Sequence, residues 1–258
     1  MNNKNIKIES ISKNYSDLSG HTIQIFENIS FNIEAGKVTT ILAPVGKGKT
    51  SLLKSVANIG KIKNGLNKKR IYIPKEPSSF PWLNVRENIL FNLDKTDESI
   101  FKNIIKYVGL DGYEDHYPNN YSFGFRFRIS FARAIINNPE LILIDESISV
   151  LPLQRKFELY ELIRKVASEM EIPIFYSTSS LSEAIRISDK ILYFNQFPAN
   201  KIIGKPILID EESRIDDSEF FEIQNFFTTD EVLLISNSSI WLSELFNFII
   251  IFNSLILD

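Results

Sequence analysis

The sequence predicts an α/β fold in which helices flank a mainly parallel β-sheet and a smaller antiparallel sheet lies at its edge. The main observation is that short apolar runs alternate with segments of helical periodicity from about residue 38 to residue 194. Strands that alternate with helices in this way are typical of a parallel sheet. The second observation is that the first 33 residues contain strand-like runs and turns only, which favours antiparallel pairing.

The amino-terminal third contains four predicted strands and one helix. A turn at Glu34–Lys37 precedes the most apolar of these strands. The predicted strands are Ile6–Ile11, Thr22–Phe26, Ile29–Ile33 and Val38–Leu42, and the helix is Ser51–Asn58.

Helical patterns dominate the rest of the chain. Residues 86–120 are predominantly helical in their apolar spacing. Further helices are predicted at Ile129–Ile136, Leu153–Met170 and Ser182–Ser188, and further strands at Leu141–Ile144, Ile172–Tyr176 and Lys190–Phe194.

Composition excludes several classes of protein. The hydrophobic fraction of 44% and the charged fraction of 24% are ordinary for a globular chain of 258 residues. A net charge of −3 gives no basic field, so a nucleic-acid partner is not expected. The absence of cysteine excludes disulfides and thiolate chemistry, and two histidines cannot build a histidine-rich metal centre. The amino terminus lacks the apolar core of a signal peptide, so a cytoplasmic location is expected.

A glycine-bearing loop ending in Gly-Lys-Thr connects the strand Val38–Leu42 to the helix that follows. Strand, loop and helix in this order are the context that a phosphate-binding loop (P-loop) requires, since its backbone N–H groups surround phosphates. Lys49 would neutralise phosphate charge, and the Thr50 hydroxyl would be a ligand of Mg²⁺. The alternative is a turn that precedes Lys-Thr by coincidence. The candidate ATP-binding residues of the loop are Ala43, Pro44, Val45, Gly46, Lys47, Gly48, Lys49, Thr50 and Ser51; alanine replaces the usual first glycine.

A second candidate group follows the apolar strand Leu141–Ile144. Asp145 would bind nucleotide-associated Mg²⁺, and Glu146 would lie beside an attacking water. Taken alone, the two acids are equally compatible with a strand that ends in solvated carboxylates.

Between these two motifs the chain resembles the ATP-binding subunits of ABC transporters, and the resemblance covers about residues 5–227. It rests on Val108–Leu110, Tyr121–Arg128 and Ala132–Ala134. Pro81–Leu83 and Ile207–Phe221 resemble the importers of nitrate, sulfonate and taurine type. The resemblance implies a P-loop NTPase core, an ABC ATPase domain at residues 1–227 and a helical signature subdomain at about residues 83–135.

The resemblance also implies cofactors and partners. ATP with Mg²⁺ would lie between the P-loop of one subunit and the signature of a second ATP-binding subunit, identical or different. The pair would dock on transmembrane permease subunits at the inner face of the cell membrane and act indirectly with a solute-binding protein. Tyr15 matches the aromatic residue that stacks on adenine, and its alternative is an exposed turn tyrosine.

Several family positions differ in this chain. Ser122 and Gly124 match the signature and would contact the ATP of the partner, but Phe123 replaces a glycine between them. Lys75 replaces a glutamine that accepts hydrogen bonds, and it would contact phosphate instead. Ser179 stands where the family has a catalytic histidine, and Pro152 stands where the family has an aspartate. We therefore expect firm ATP binding with weak or partner-dependent hydrolysis.

Three functions remain compatible with these residues. The leading one is the energising subunit of a solute importer. The alternative is a regulatory or non-hydrolysing ATP-binding subunit paired with a better-preserved ATPase. A soluble ABC protein acting on ribosomes or DNA repair is less compatible, since the chain lacks a second cassette. The apolar extension at residues 228–258 would pack on the domain or a partner, bind a membrane surface or, least expected, span a membrane.

Overall fold

A computed structural model describes residues 5–16, 21–57, 69–93, 97–194 and 197–207. Strands β1 (Ile6–Ser16) and β2 (Thr22–Ile33) pair antiparallel, as expected. The two strands predicted between residues 22 and 33 form a single strand, because the chain makes a β-bulge at Glu27-Asn28 where a turn was expected. Asn28 has a φ of 51°, and its N–H donates to the Ser12 hydroxyl at 2.8 Å.

In the described ranges the main sheet has six strands in the order β4-β5-β6-β3-β7-β8, of which only the β7–β8 pair is antiparallel. The mainly parallel sheet is therefore confirmed. Two edge strands, β4 and β8, were not anticipated, since both are short and one contains glycine and lysine. The strands are β3 (Val38–Leu42), β4 (Arg70–Ile73), β5 (Leu141–Asp145), β6 (Ile174–Thr178), β7 (Lys190–Phe194) and β8 (Ile202–Pro206).

Six α-helices connect these strands in the described residues. They are α1 (Lys49–Ala57), α2 (Val85–Ile89), α3 (Glu98–Tyr107), α4 (Phe123–Ile136), α5 (Leu153–Glu169) and α6 (Leu181–Ile187). The expectation of a predominantly helical segment at residues 86–120 was too broad, because turns separate α2, α3 and the 3₁₀ turn Pro118–Asn120. Helix α4 begins six residues before the predicted Ile129, since Ser122 caps it.

The sheet divides the core into two apolar clusters. Leu141 and Leu143 of β5 pack with β1, β2 and α1, whereas Ile142 and Ile144 pack with α2–α5. This alternation is the period of a strand buried on both faces. The carboxyl ends of β3, β4, β5 and β6 consequently meet at one edge, where the residues after each strand lie close together.

Among the residues with a described structure, no helix is long and apolar enough to cross a membrane. The extension at residues 228–258 and almost all of the 207–221 segment lie outside the described residues.

Candidate functional site

The loop between β3 and α1 depends on two glycines in the left-handed region. Gly46 has a φ of 80° and Gly48 a φ of 88°. A Cβ atom at Gly48 would lie 2.4 Å from Cγ2 of Ile25 on β2, whereas nothing lies within 4 Å of one at Gly46. The loop therefore needs glycine for its backbone at both positions, and for space at Gly48 as well.

Lys49 lies at the start of α1 and bends back over the loop. Its side chain is 6% exposed, and its Nζ donates to the carbonyl oxygens of Ala43 at 2.7 Å and Pro44 at 3.1 Å. The same Nζ lies 3.0 Å from Oε1 of Glu146. A buried ammonium group among loop carbonyls is a ready partner for a phosphate that enters the loop.

Glu146 connects the loop to β4 as well as to β5. Its Oε2 accepts from Nζ of Lys75 at 3.3 Å. Burial by itself raises the pKa of this carboxyl, but the hydrogen bonds and charges of Lys49 and then Lys75 outweigh burial and lower the pKa overall. The carboxylate is therefore held as an anion between two cations.

Asp145 is buried, and both of its oxygens accept a hydrogen bond. Tyr72 donates to Oδ2 at 2.7 Å, and Ser177 donates to Oδ1 at 2.7 Å. Burial and the contact to Asp145 raise the pKa of Tyr72, so its hydroxyl stays a donor. Sequence reasoning missed Tyr72 and Ser177, because neither belongs to a motif.

The side chains fit a hydrated Mg²⁺ ion. Each oxygen of Asp145 keeps a second lone pair beside its hydrogen bond, and Thr50 at the start of α1 is exposed. A carboxylate and a hydroxyl completed by waters and phosphates are the ligands that Mg²⁺ prefers. The described residues contain no group of three or more acidic or histidine side chains that could hold a metal ion.

Two aromatic rings lie beside the loop. Tyr15 on β1 is exposed, and its hydroxyl lies 3.0 Å from the Ser51 hydroxyl, with Nζ of Lys13 4.9 Å from its ring centroid. The Nζ of Lys47 lies 4.5 Å from the ring centroid of Phe197. The structure thus places Tyr15 next to α1, and it adds Phe197 beside the loop, which sequence reasoning missed.

The signature residues lie at the start of α4. Ser122 is the N-cap, and its hydroxyl accepts from the Phe125 N–H at 3.3 Å. Phe123 is half-buried, with the Arg126 guanidinium 5.5 Å from its ring centroid. A Cβ at Gly124 would meet Leu151 only at 3.7 Å, an ordinary contact distance. A half-buried aromatic ring therefore lies between the two signature residues at the start of α4.

Ser179 and Pro152 lie on loops at the same end of the sheet. Ser179 follows β6 and is half-buried, directly after Thr178, which donates to Glu183 at 2.7 Å. Pro152 precedes α5, and its ring offers no capping hydrogen bond.

Residues 26–149 match the family described as ABC transporter. The chain is 32% identical over 207 residues to the aliphatic sulfonates import ATP-binding protein SsuB of Bacillus thuringiensis subsp. konkukian, a match covering 75% of this chain and 82% of that protein.

Solved structures show the same fold. The dimeric structure of MJ0796, a bacterial ABC transporter cassette, superposes with a TM-score of 0.64 at 20% identity, covering 79% of this chain and 99% of that chain. A post-hydrolysis state of the same cassette bound to ADP and Pi gives the same TM-score of 0.64 at 20% identity, with the same coverage. These likenesses confirm the predicted P-loop NTPase fold.

Proposed function

Because this chain belongs to the family of ABC transporter ATP-binding proteins, we propose that it binds Mg-ATP at the loop Ala43–Thr50 and thereby energises solute uptake. The observation that carries this proposal is the position of Lys49. Its ammonium group is buried among loop carbonyls, 3.0 Å from the Glu146 carboxylate. A terminal phosphate would replace these neutral acceptors with anionic ones, which make stronger hydrogen bonds.

Each remaining contact has a proposed role. Tyr15 stacks on adenine, and the loop residues together with Ser51 contact the phosphates. Thr50 and Asp145 hold the Mg²⁺ ion, which neutralises phosphate charge when bound. Glu146 orients the attacking water, and Ser179 lies on the loop that faces the terminal phosphate.

The transport role requires partners. SsuB is by its name an import protein for aliphatic sulfonates, and the MJ0796 cassette is dimeric. By analogy, we infer that this chain pairs with a second ATP-binding subunit, through Ser122 and Gly124 of each signature. The pair would lie against permease subunits on the inner face of the membrane and act indirectly with a solute-binding protein.

A second candidate function is a non-hydrolysing or regulatory ATP-binding subunit paired with a better-preserved ATPase. The half-buried Phe123 at the first position of α4 favours it, since a ring there keeps the helix backbone away from a partner's terminal phosphate. The two candidates share the same loop and differ in turnover.

The proposed binding is tested by measuring ATP affinity, with and without Mg²⁺, for the wild type and for Lys49→Gln. Loss of one charge-assisted contact of about 1.5–3 kcal/mol weakens binding by about 10- to 100-fold. Lys54→Gln is the matched control, because Lys54 is an exposed lysine on the same helix. Wild-type affinity in Lys49→Gln, or no binding of Mg-ATP by the wild type, would contradict the proposal.

A further inference from the structure

Glu146 is the one site carboxylate in the described residues whose two oxygens both face lysine side chains. Lys49 lies 3.0 Å from Oε1, and Lys75 lies 3.3 Å from Oε2. A carboxylate that orients water must keep one oxygen available as an acceptor. In this arrangement each oxygen lies against a cation, which attracts its negative charge and makes it a weaker acceptor for a water.

The position of Lys75 is built into the fold. Ser147, which directly follows Glu146 and is fully buried, donates to the carbonyl oxygen of Pro74 at 2.7 Å and lies 3.3 Å from that of Ile73. This contact connects the chain after β4 to the chain after β5, one residue away from both partners of the ion pair. The backbone therefore keeps Lys75 and Glu146 within reach of each other.

Nucleotide binding is expected to affect the two lysines differently. Lys49 belongs to the loop, so an entering phosphate draws it away from Glu146. The Lys75 side chain is 60% exposed and lies on the solvent side of a carboxylate that is 12% exposed. When Lys49 moves, Lys75 remains as the cation that neutralises Glu146.

From this geometry, and resting on the proposed ATP binding, we propose that Lys75 is a positioning residue that holds Glu146 in an ion pair and thereby slows hydrolysis of bound ATP. Hydrolysis joins a water oxygen to the terminal phosphorus as the bond to the bridging oxygen breaks. The electron pair of that bond leaves with ADP, and a water proton passes to the Glu146 carboxylate and then to phosphate. While Lys75 occupies Oε2, the carboxylate is a weaker acceptor for that water.

The experiment measures single-turnover ATP hydrolysis, kcat, KM and ATP affinity for the full chain and four variants. Lys75→Gln and Lys75→Met both remove the cation, Lys75→Arg keeps it, and Lys69→Gln removes an exposed lysine at the opposite end of β4. We expect both neutral variants to raise the hydrolysis rate constant by about tenfold or more. Their ATP affinity and KM should stay within about threefold of the wild type, while Lys75→Arg and Lys69→Gln stay at the wild-type rate.

Three results would overturn the proposal. An unchanged or lower rate in both neutral variants would show that the ion pair does not restrain hydrolysis. A faster rate in Lys75→Gln but not in Lys75→Met would show that the introduced amide speeds hydrolysis and that loss of the lysine charge does not. A loss of ATP affinity in the neutral variants would make Lys75 a phosphate contact only. Failure of the wild type to bind ATP is a separate result, which would contradict the proposed function instead.

Discussion

At the scale of single residues, the loop after β3 combines two kinds of constraint. Gly46 and Gly48 both have positive φ, but only Gly48 also lies against another side chain, Ile25. The positive φ at both positions is readily adopted only by glycine, and the close approach of β2 leaves no space for a side chain at Gly48. Position in the fold, and not residue type alone, decides how much each glycine matters.

We expect Gly48→Ala to lower both the unfolding free energy and ATP affinity more than Gly46→Ala does. A left-handed alanine costs about 1–2 kcal/mol at either position, and Gly48→Ala adds a contact at 2.4 Å that forces Ile25 to move. Urea unfolding and ATP titration of the two variants measure the difference. Equal losses would show that β2 yields to the added methyl group without cost. Adding Ile25→Ala to Gly48→Ala should remove only the steric part of the loss, because the backbone strain at position 48 remains.

At the scale of elements, one half-buried cation, Arg133, connects α4 to the segment around α2. Its guanidinium donates to the backbone carbonyl and to Oδ1 of Asn88, each at 2.7 Å, and to the carbonyl of Ser78 at 2.7 Å. The Phe80 ring centroid lies 4.9 Å from the guanidinium carbon. Burial lowers the pKa of Arg133 to about 10. The guanidinium is thus held by fixed acceptors on two segments, which sets where α4 and its signature residues lie relative to the chain after Lys75.

Arg133→Lys should lower the unfolding free energy by about 2–3 kcal/mol. An ammonium group cannot reproduce the planar fork that reaches three oxygens, so buried acceptors lose their partners. Arg155→Lys on α5 is the matched control, since that guanidinium is 71% exposed in its pair with Glu158 and contributes little. Denaturant midpoints measured on both variants test this, and equal midpoints would mean that water replaces the lost contacts.

At the scale of the whole molecule, nucleotide binding and partner binding are proposed to share one interface. The loop side of that interface has its main groups in place, namely the buried Lys49 and the anionic Glu146. The signature side keeps Ser122 as a helix cap but carries the Phe123 ring at the first turn of α4. The two halves of the proposed nucleotide site are therefore unequally preserved.

Phe123→Gly should strengthen ATP-dependent association of the chain with itself by about tenfold, because helix backbone could then approach the phosphate. Sedimentation or light scattering with ATP, in a Glu146→Gln background that prevents turnover, measures the association constant. Phe123→Leu serves as the control, as it keeps a bulky side chain without the ring. Unchanged association in Phe123→Gly would show that the ring does not obstruct self-association and would favour a different partner chain.

Sequence reasoning predicted best those elements whose apolar pattern lies entirely within their own residues. The strand Val38–Leu42 and the strand Lys190–Phe194 were predicted with the bounds that the structure has. The start of α4 was missed, because phenylalanine and arginine at its first positions obscure the apolar period and the cap at Ser122 is one hydroxyl. The edge strand β4 was missed because four residues give too short a pattern.

By itself the sequence determined the loop, the acids at the end of β5 and the alternation of strands with helices, because each depends on the conformational preferences of neighbouring residues. Only the tertiary structure decided that Lys75 meets Glu146, that Tyr72 meets Asp145 and that Arg133 meets Asn88. These partners are between 45 and 73 residues apart. The first two pairs meet because β4 and β5 are neighbours in the sheet, and the third meets because α4 packs against α2. Strand periodicity gives the face on which a side chain lies but not which strand is its neighbour.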